Sequence, residues 1–146
     1  MADRLHIENK VNDNIIPRIE TAKLLGLDKE NSERIDLFLF AMALGIKQGY
    51  RTPLTSKHGF ILATSIQSND LGMALIESLH VSEARAANED EKIGNQDEAF
   101  AVAEEYANTG FHQISKWLDQ YNDKDSDELL WDLINQMNER ANSIIQ

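Results

Sequence analysis

The chain of 146 residues contains no cysteine. Disulfides, thiolate metal sites and cysteine nucleophiles are therefore excluded, and the composition fits a reducing compartment. Only two prolines and seven glycines interrupt it, which leaves long stretches free to form helix. Long apolar runs are missing too: none approaches the ~20 residues of a membrane span. The N-terminal MADRLHIENK is polar and has no apolar signal core. A cytoplasmic protein without a membrane partner is expected. Cations are also few. Fourteen Lys and Arg stand against 25 Asp and Glu, for a formal net charge of −11. Binding to duplex DNA relies on Lys and Arg to neutralise phosphates, so the chain alone is not expected to bind it. Such acidity fits a solvated surface, a basic partner or mimicry of a nucleic acid.

The acids are unevenly spread. Residues 1–36 carry six bases and eight acids, and residues 70–146 carry five bases and seventeen acids. Between Asp36 and Asp70 there is no carboxylate at all, while Lys47, Arg51, Lys57 and His58 remain. Part of this gap is explained by RIDLFLFAMALGIKQ, which is apolar on nearly every side from Leu37 to Ile46. It reads as a buried central helix over about 33–48, capped by Ser32 or Asn31 and stopped by Gly49. Burial does not explain residues 47–69, where polar side chains return without acids. Cations at the end of a helix complement its dipole. The same Lys47, Gln48, Tyr50, Arg51 and Lys57 also form a candidate binding surface for a carboxylate- or phosphate-bearing partner. Pairing with the acidic C-terminal half is a third option.

Elsewhere the pattern predicts further helices, giving an all-α fold: a compact bundle of five to seven helices around the central one. Residues 1–14 read as a flexible N-terminal arm, and 15–146 as a single helical domain. IIPRIETAKLLG is a short helix with Pro17 in its first turn and Gly26 as its stop. LDKENS is a loop, and a short helix is expected from about Ser56 to Ile66. Asn69 or Asp70 caps a helix whose inner stripe is Leu71, Ala74 or Leu75, and Leu79; its second half, ESLHVSEA, also reads as extended. NEDEKIGNQDE is an exposed loop. Asn95 caps DEAFAVAEEYAN, Gly110 ends that helix, and Phe111, Ile114 and Leu118 begin another. NDKDSD is a polar linker. A capping box of Asp125 and Glu128 opens the last helix, with Leu129 or Leu130, Leu133, Met137 and Ile144 inside.

Catalytic constellations are missing. There is no phosphate-cradling glycine loop, no H-E-x-x-H and no G-x-S-x-G. Glu77 and His80 have the E-x-x-H spacing of carboxylate-bridged metal bundles, but such a site needs two of these motifs and two further glutamates. An exposed polar pair is the simpler reading. His6, His58 and His112 are scattered, and Glu104 and Glu105 are adjacent, hence divergent on a helix. No cofactor, no metal and no enzymatic activity are expected. A dispersed site using Glu77, His80 and Arg85 is the enzymatic alternative.

Two segments carry a resemblance. LFLFAMALGIKQGYRTPL is followed some fifty residues later by AVAEEYANTGFHQISKWL. This pair, in this order and over about residues 36–135, resembles the family of DNA phosphorothioation-associated protein four. The family's double glycine after Tyr-Ala-Asn is replaced here by Thr109-Gly110. The resemblance implies the setting of a bacterial DNA-modification or antiviral defence system and no assigned activity. The expected function is that of a non-enzymatic accessory or adaptor acting through protein–protein contacts with such a complex. A homodimer is a further partner arrangement that the sequence allows. The alternative is an acidic DNA mimic or inhibitor that occupies a nucleic-acid-binding partner.

Overall fold

In the computed structural model the described residues are 2–22, 31–121 and 126–145. The chain opens with strand β1 (Arg4–Ile7), makes a π-helical turn at Val11–Ile15 and continues into α1 (Ile16–Ala22). Helix α2 (Asn31–Gln48), strand β2 (His58–Leu62), α3 (Ala63–Gln67) and α4 (Asp70–Ala86) follow. A 3-10 turn at Asp90–Lys92 leads to α5 (Gln96–Tyr121) and α6 (Ser126–Ile145). The fold is mostly α-helical, with a two-stranded sheet beside the helices. Among the described residues no helix is long and apolar enough to cross a membrane.

The centre of the molecule is the crossing of α2 and α5. Phe38, Ala41 and Met42 of α2 are buried, as are Ala103, Ala107, Phe111 and Ile114 of α5. Two glycines set how closely the helices approach. A Cβ on Gly45 would overlap the Tyr106 carbonyl oxygen, and one on Gly110 would overlap that of Ala41. With no side chain at either site, backbone packs on backbone. α2 is central as the sequence suggests, although Ala43 and Ile46 leave one flank open. Gly49 ends it in the left-handed region at φ 85°.

Several expectations are corrected. Residues 2–15 are no free arm. Leu5, Ile7, Val11 and Ile15 are buried, because RLHI alternates apolar and polar and pairs with β2. The helix expected at 56–66 is interrupted by a strand at His58–Leu62. β2 runs antiparallel to β1, with His6 opposite Gly59 and a register shift between Leu5 and His6; only Ala63–Gln67 is helical. Gly110 does not end a helix. α5 passes through Asn108, Thr109 and Gly110, none of which has positive φ. Asn69 and Asn95 do cap as expected, accepting from Gly72 N and Glu98 N. Gly26, most of the loop after it and residues 122–125 lie outside the described residues, as do the side chains of Asn31, Ser32, Leu129, Leu130, Leu133 and Ile144. Met137, expected inside, is exposed, together with Trp131 and Ile134.

The inner stripe of α4 is displaced by one residue. Gly72, Ile76, His80 and Ala84 are buried, while Leu71 and Leu75 are exposed. Gly72 lies on the inner side, where a Cβ would stand 2.9 Å from Ile66 Cδ1 and would push that side-chain end aside. A direct consequence is that Ile76→Asp should unfold the protein, since an unpaired buried charge costs several kcal/mol. Leu75→Asp, at a site 44% exposed, should shift stability by under about 0.5 kcal/mol. Thermal melts of the two variants check this; equal loss in both would contradict the packing.

Candidate interaction surface

The segment 49–57 leaves α2 and crosses α5 before entering β2. Its polar residues are used as fasteners. Thr52 N donates to Glu105 O at 3.2 Å. Asn108 Nδ2 donates to Thr52 O at 3.1 Å and to Pro53 O at 3.5 Å. Thr109 Oγ1 donates to Tyr50 O at 3.0 Å and lies 2.7 Å from Thr52 Oγ1. The Asn108–Thr109–Gly110 sequence thus has one use per residue: amide to the loop, hydroxyl to the loop, and contact with α2.

The other end of the segment is held by Glu8. Its Oε2 accepts from Thr55 N at 3.0 Å and from Thr55 Oγ1 at 2.6 Å, and its Oε1 lies 3.0 Å from His112 Nε2. Asn9 N donates to Ser56 Oγ at 2.9 Å. Burial pushes the Glu8 carboxyl up, but hydrogen bonds from Thr55, His112 and Asn108 outweigh it and hold its pKa at about 2. An acid in place of Thr55 would face Glu8. The lack of carboxylates in this segment therefore has a structural component beyond helix α2.

Among the sequence candidates, Lys47 and Gln48 lie exposed in the last turn of α2, and Tyr50 is 55% exposed beyond it. Lys57 is exposed at the approach to β2. Arg51 differs from these. Its Nη2 lies 2.8 Å from Glu105 Oε2 and its Nη1 3.3 Å from Glu83 Oε2. Tyr106 OH donates to Glu83 Oε1 at 2.6 Å. Burial, followed by the Glu83 bond and charge, pushes the Tyr106 phenol up to about 12. Arg51 thus pairs internally with the acidic half, one of the options its sequence left open.

Sequence reasoning missed the residues of the N-terminal hub. Glu104 is buried rather than solvated; it accepts from the His6 N–H, and its Oε2 lies 2.7 Å from His6 Nδ1. Burial raises the Glu104 carboxyl pKa, and His6 and Lys57 partly offset this. The available signal was its position one residue after Ala103 on the Phe100–Ala107–Phe111 stripe. Glu77 and His80 point differently, Glu77 being exposed and His80 buried. Among the described residues no group of His, Asp and Glu is placed to hold a metal ion.

Both segments of the resemblance therefore have one geometric role, the α2–α5 crossing and the loop tied across it. The family model of DNA sulphur modification system-associated protein 4 matches residues 22–144. The chain belongs to that family. The matched span contains the glycine crossing, the Asn108–Thr109 fasteners and the displayed loop. It begins after β1 and Glu8, so His6 and Glu8 lie outside it, while their partners Glu104, Thr55 and His112 lie within it. No curated protein and no solved structure matches the chain.

Proposed function

We propose that this member of the DNA sulphur modification system-associated protein 4 family is a non-enzymatic accessory subunit that acts through protein–protein contacts, using the face of Lys47, Gln48, Tyr50, Arg51 and Lys57. The family description supplies the association with a DNA sulphur modification system. The observation that carries the reading is the fastening of segment 49–57. Its backbone and small hydroxyls are tied down at both ends, while Tyr50 and Lys57 stay exposed. A loop held in one conformation loses little entropy on binding, and Tyr is among the residue types that anchor interfaces.

The test uses substitutions that spare the fasteners. Tyr50→Ala combined with Lys57→Gln, which adds no carboxylate near buried Glu104, should change stability by under about 0.5 kcal/mol. Binding to the assembled modification complex should fall by a factor of about 30, the scale of a 2 kcal/mol hot spot. Surface plasmon resonance against the reconstituted complex reads both affinity and salt dependence. Unchanged binding would remove this surface from the proposal. Arg51→Glu is unsuitable for this purpose, because it places a third carboxylate beside Glu83 and Glu105.

A further inference from the structure

The outer face of the small sheet collects positive charge in an acidic protein. Leu5 and Ile7 turn into the core, so Arg4 and His6 alternate to the other face. His6 stands opposite Gly59, which shares that face, and Lys57 precedes Gly59 by two residues. Gly59 has no side chain, and the stem of Arg4 lies across the space left. A Cβ at Gly59 would stand 2.5 Å from Arg4 Cδ and 3.5 Å from Arg4 Nη1. The Arg4 guanidinium is thereby laid over β2, towards the run that begins with Lys57.

Arg4 is not used up inside the protein, and Lys57 acts on Glu104 through charge alone, without a hydrogen bond to it. Among the described residues neither Arg4 nor Lys57 has an ion-pair partner, although the chain holds 25 acids. The carboxylate shown against this group is Glu104. It is buried and engaged by His6 through both the backbone N–H and Nδ1. His6 Nε2 has no hydrogen-bond partner among the described residues. Glu104 therefore fixes the imidazole while leaving its second nitrogen available. A planar guanidinium and a flexible ammonium donate to the oxygens of a tetrahedral dianion, and an oriented imidazole adds a donor at Nε2 when it carries a proton on both nitrogens.

We propose that this face is a binding site for a phosphate-class oxyanion, held between Arg4, His6 and Lys57 over Gly59. It shares Lys57 with the contact surface above and rests on none of that argument. Isothermal titration with inorganic phosphate, at ionic strength matched with chloride, tests it. One saturable site is expected, with a dissociation constant of about 1 mM or lower. Arg4→Gln should weaken binding by a factor of about 10, the scale of one lost charged hydrogen bond. Gly59→Ala is the sharper variant. It changes no charge, and the obstacle it meets is the movable stem of Arg4, so the fold should persist while binding falls several-fold. Phenyl phosphate in the same titration separates sources: binding equal to phosphate or tighter indicates a phosphomonoester, and failure of this probe alone indicates the free ion. No saturable phosphate binding up to about 20 mM, or parental affinity in folded Gly59→Ala, would overturn the site.

Discussion

Gly110→Ala should lower stability by more than about 3 kcal/mol and the melting temperature by roughly 10 °C. Helix propensity alone predicts the opposite sign, since Ala is favoured over Gly in a helix interior by about 1 kcal/mol. The obstacle is backbone. The added methyl would overlap the Ala41 carbonyl and stand 2.8 Å from Ala41 Cα. Neither helix can yield locally, because Gly45 makes the matching contact on Tyr106. α2 and α5 must instead separate along their length, opening the packing around Phe38, Ala107 and Phe111. Against a total stability of roughly 5–15 kcal/mol this is a large fraction. Gly45→Ala should behave likewise, and the double variant should cost less than the sum, because one separation relieves both overlaps. Chemical denaturation read by circular dichroism measures all three. Gly110→Ala at or above parental stability would refute the crossing.

Glu8→Gln is expected to cost about 3 kcal/mol at neutral pH, the equivalent of lowering a carboxyl from 4.5 to about 2. The amide fills the same volume but loses the charge that Thr55 and His112 answer. The cost should depend on pH in a specified direction. The folded-state pKa of Glu8 lies below its unfolded value. Ionised Glu8 therefore stabilises the fold above pH 4.5, and that contribution disappears as pH falls towards 2. Glu104 acts in the opposite sense. Its raised pKa favours the fold at low pH, and this contribution is lost as pH rises through the folded value. Taking the difference between parent and Glu8→Gln isolates Glu8. That difference should shrink from pH 4.5 downward in denaturant titrations at stepped pH; a constant difference would contradict the assignment.

The legibility of this fold from sequence follows locality. α2 was readable because its apolar run, its terminal Lys47 and its Gly49 stop are all local signals. Phe111, Ile114 and Leu118 were placed in the core even though the helix around them was read as broken. Asn108 and Gly110 resemble a helix end in isolation. What keeps them helical is the distant loop that Asn108 binds and the distant helix that Gly110 touches. β2 was invisible for the same reason, since His58–Leu62 gains its partner from Arg4–Ile7, some fifty residues earlier. In α4 two stripes competed. The more apolar one, Leu71 and Leu75, is exposed, while Gly72 and Ile76 face inward and Gly72 lies close against the Ile66 side chain. The surface candidates Lys47, Gln48, Tyr50 and Lys57 were legible from composition. The anchor Glu8 was not, because a lone carboxylate in a polar segment reads as solvated until its three donors are assembled around it.

Asn108 and Gly110 lie within a continuous helix that ties segment 49–57 in place. Backbone amide hydrogen exchange at residue resolution tests this directly. Protection is expected at Thr52 N, bonded to Glu105 O, and at Thr55 N, bonded to Glu8, together with unbroken protection through residues 107–114. Asn108→Ala should release Thr52 while leaving those helical amides protected. Rapid exchange at residues 109–112 in the parent, or at both threonines, would show a broken helix and a free loop, and would contradict it.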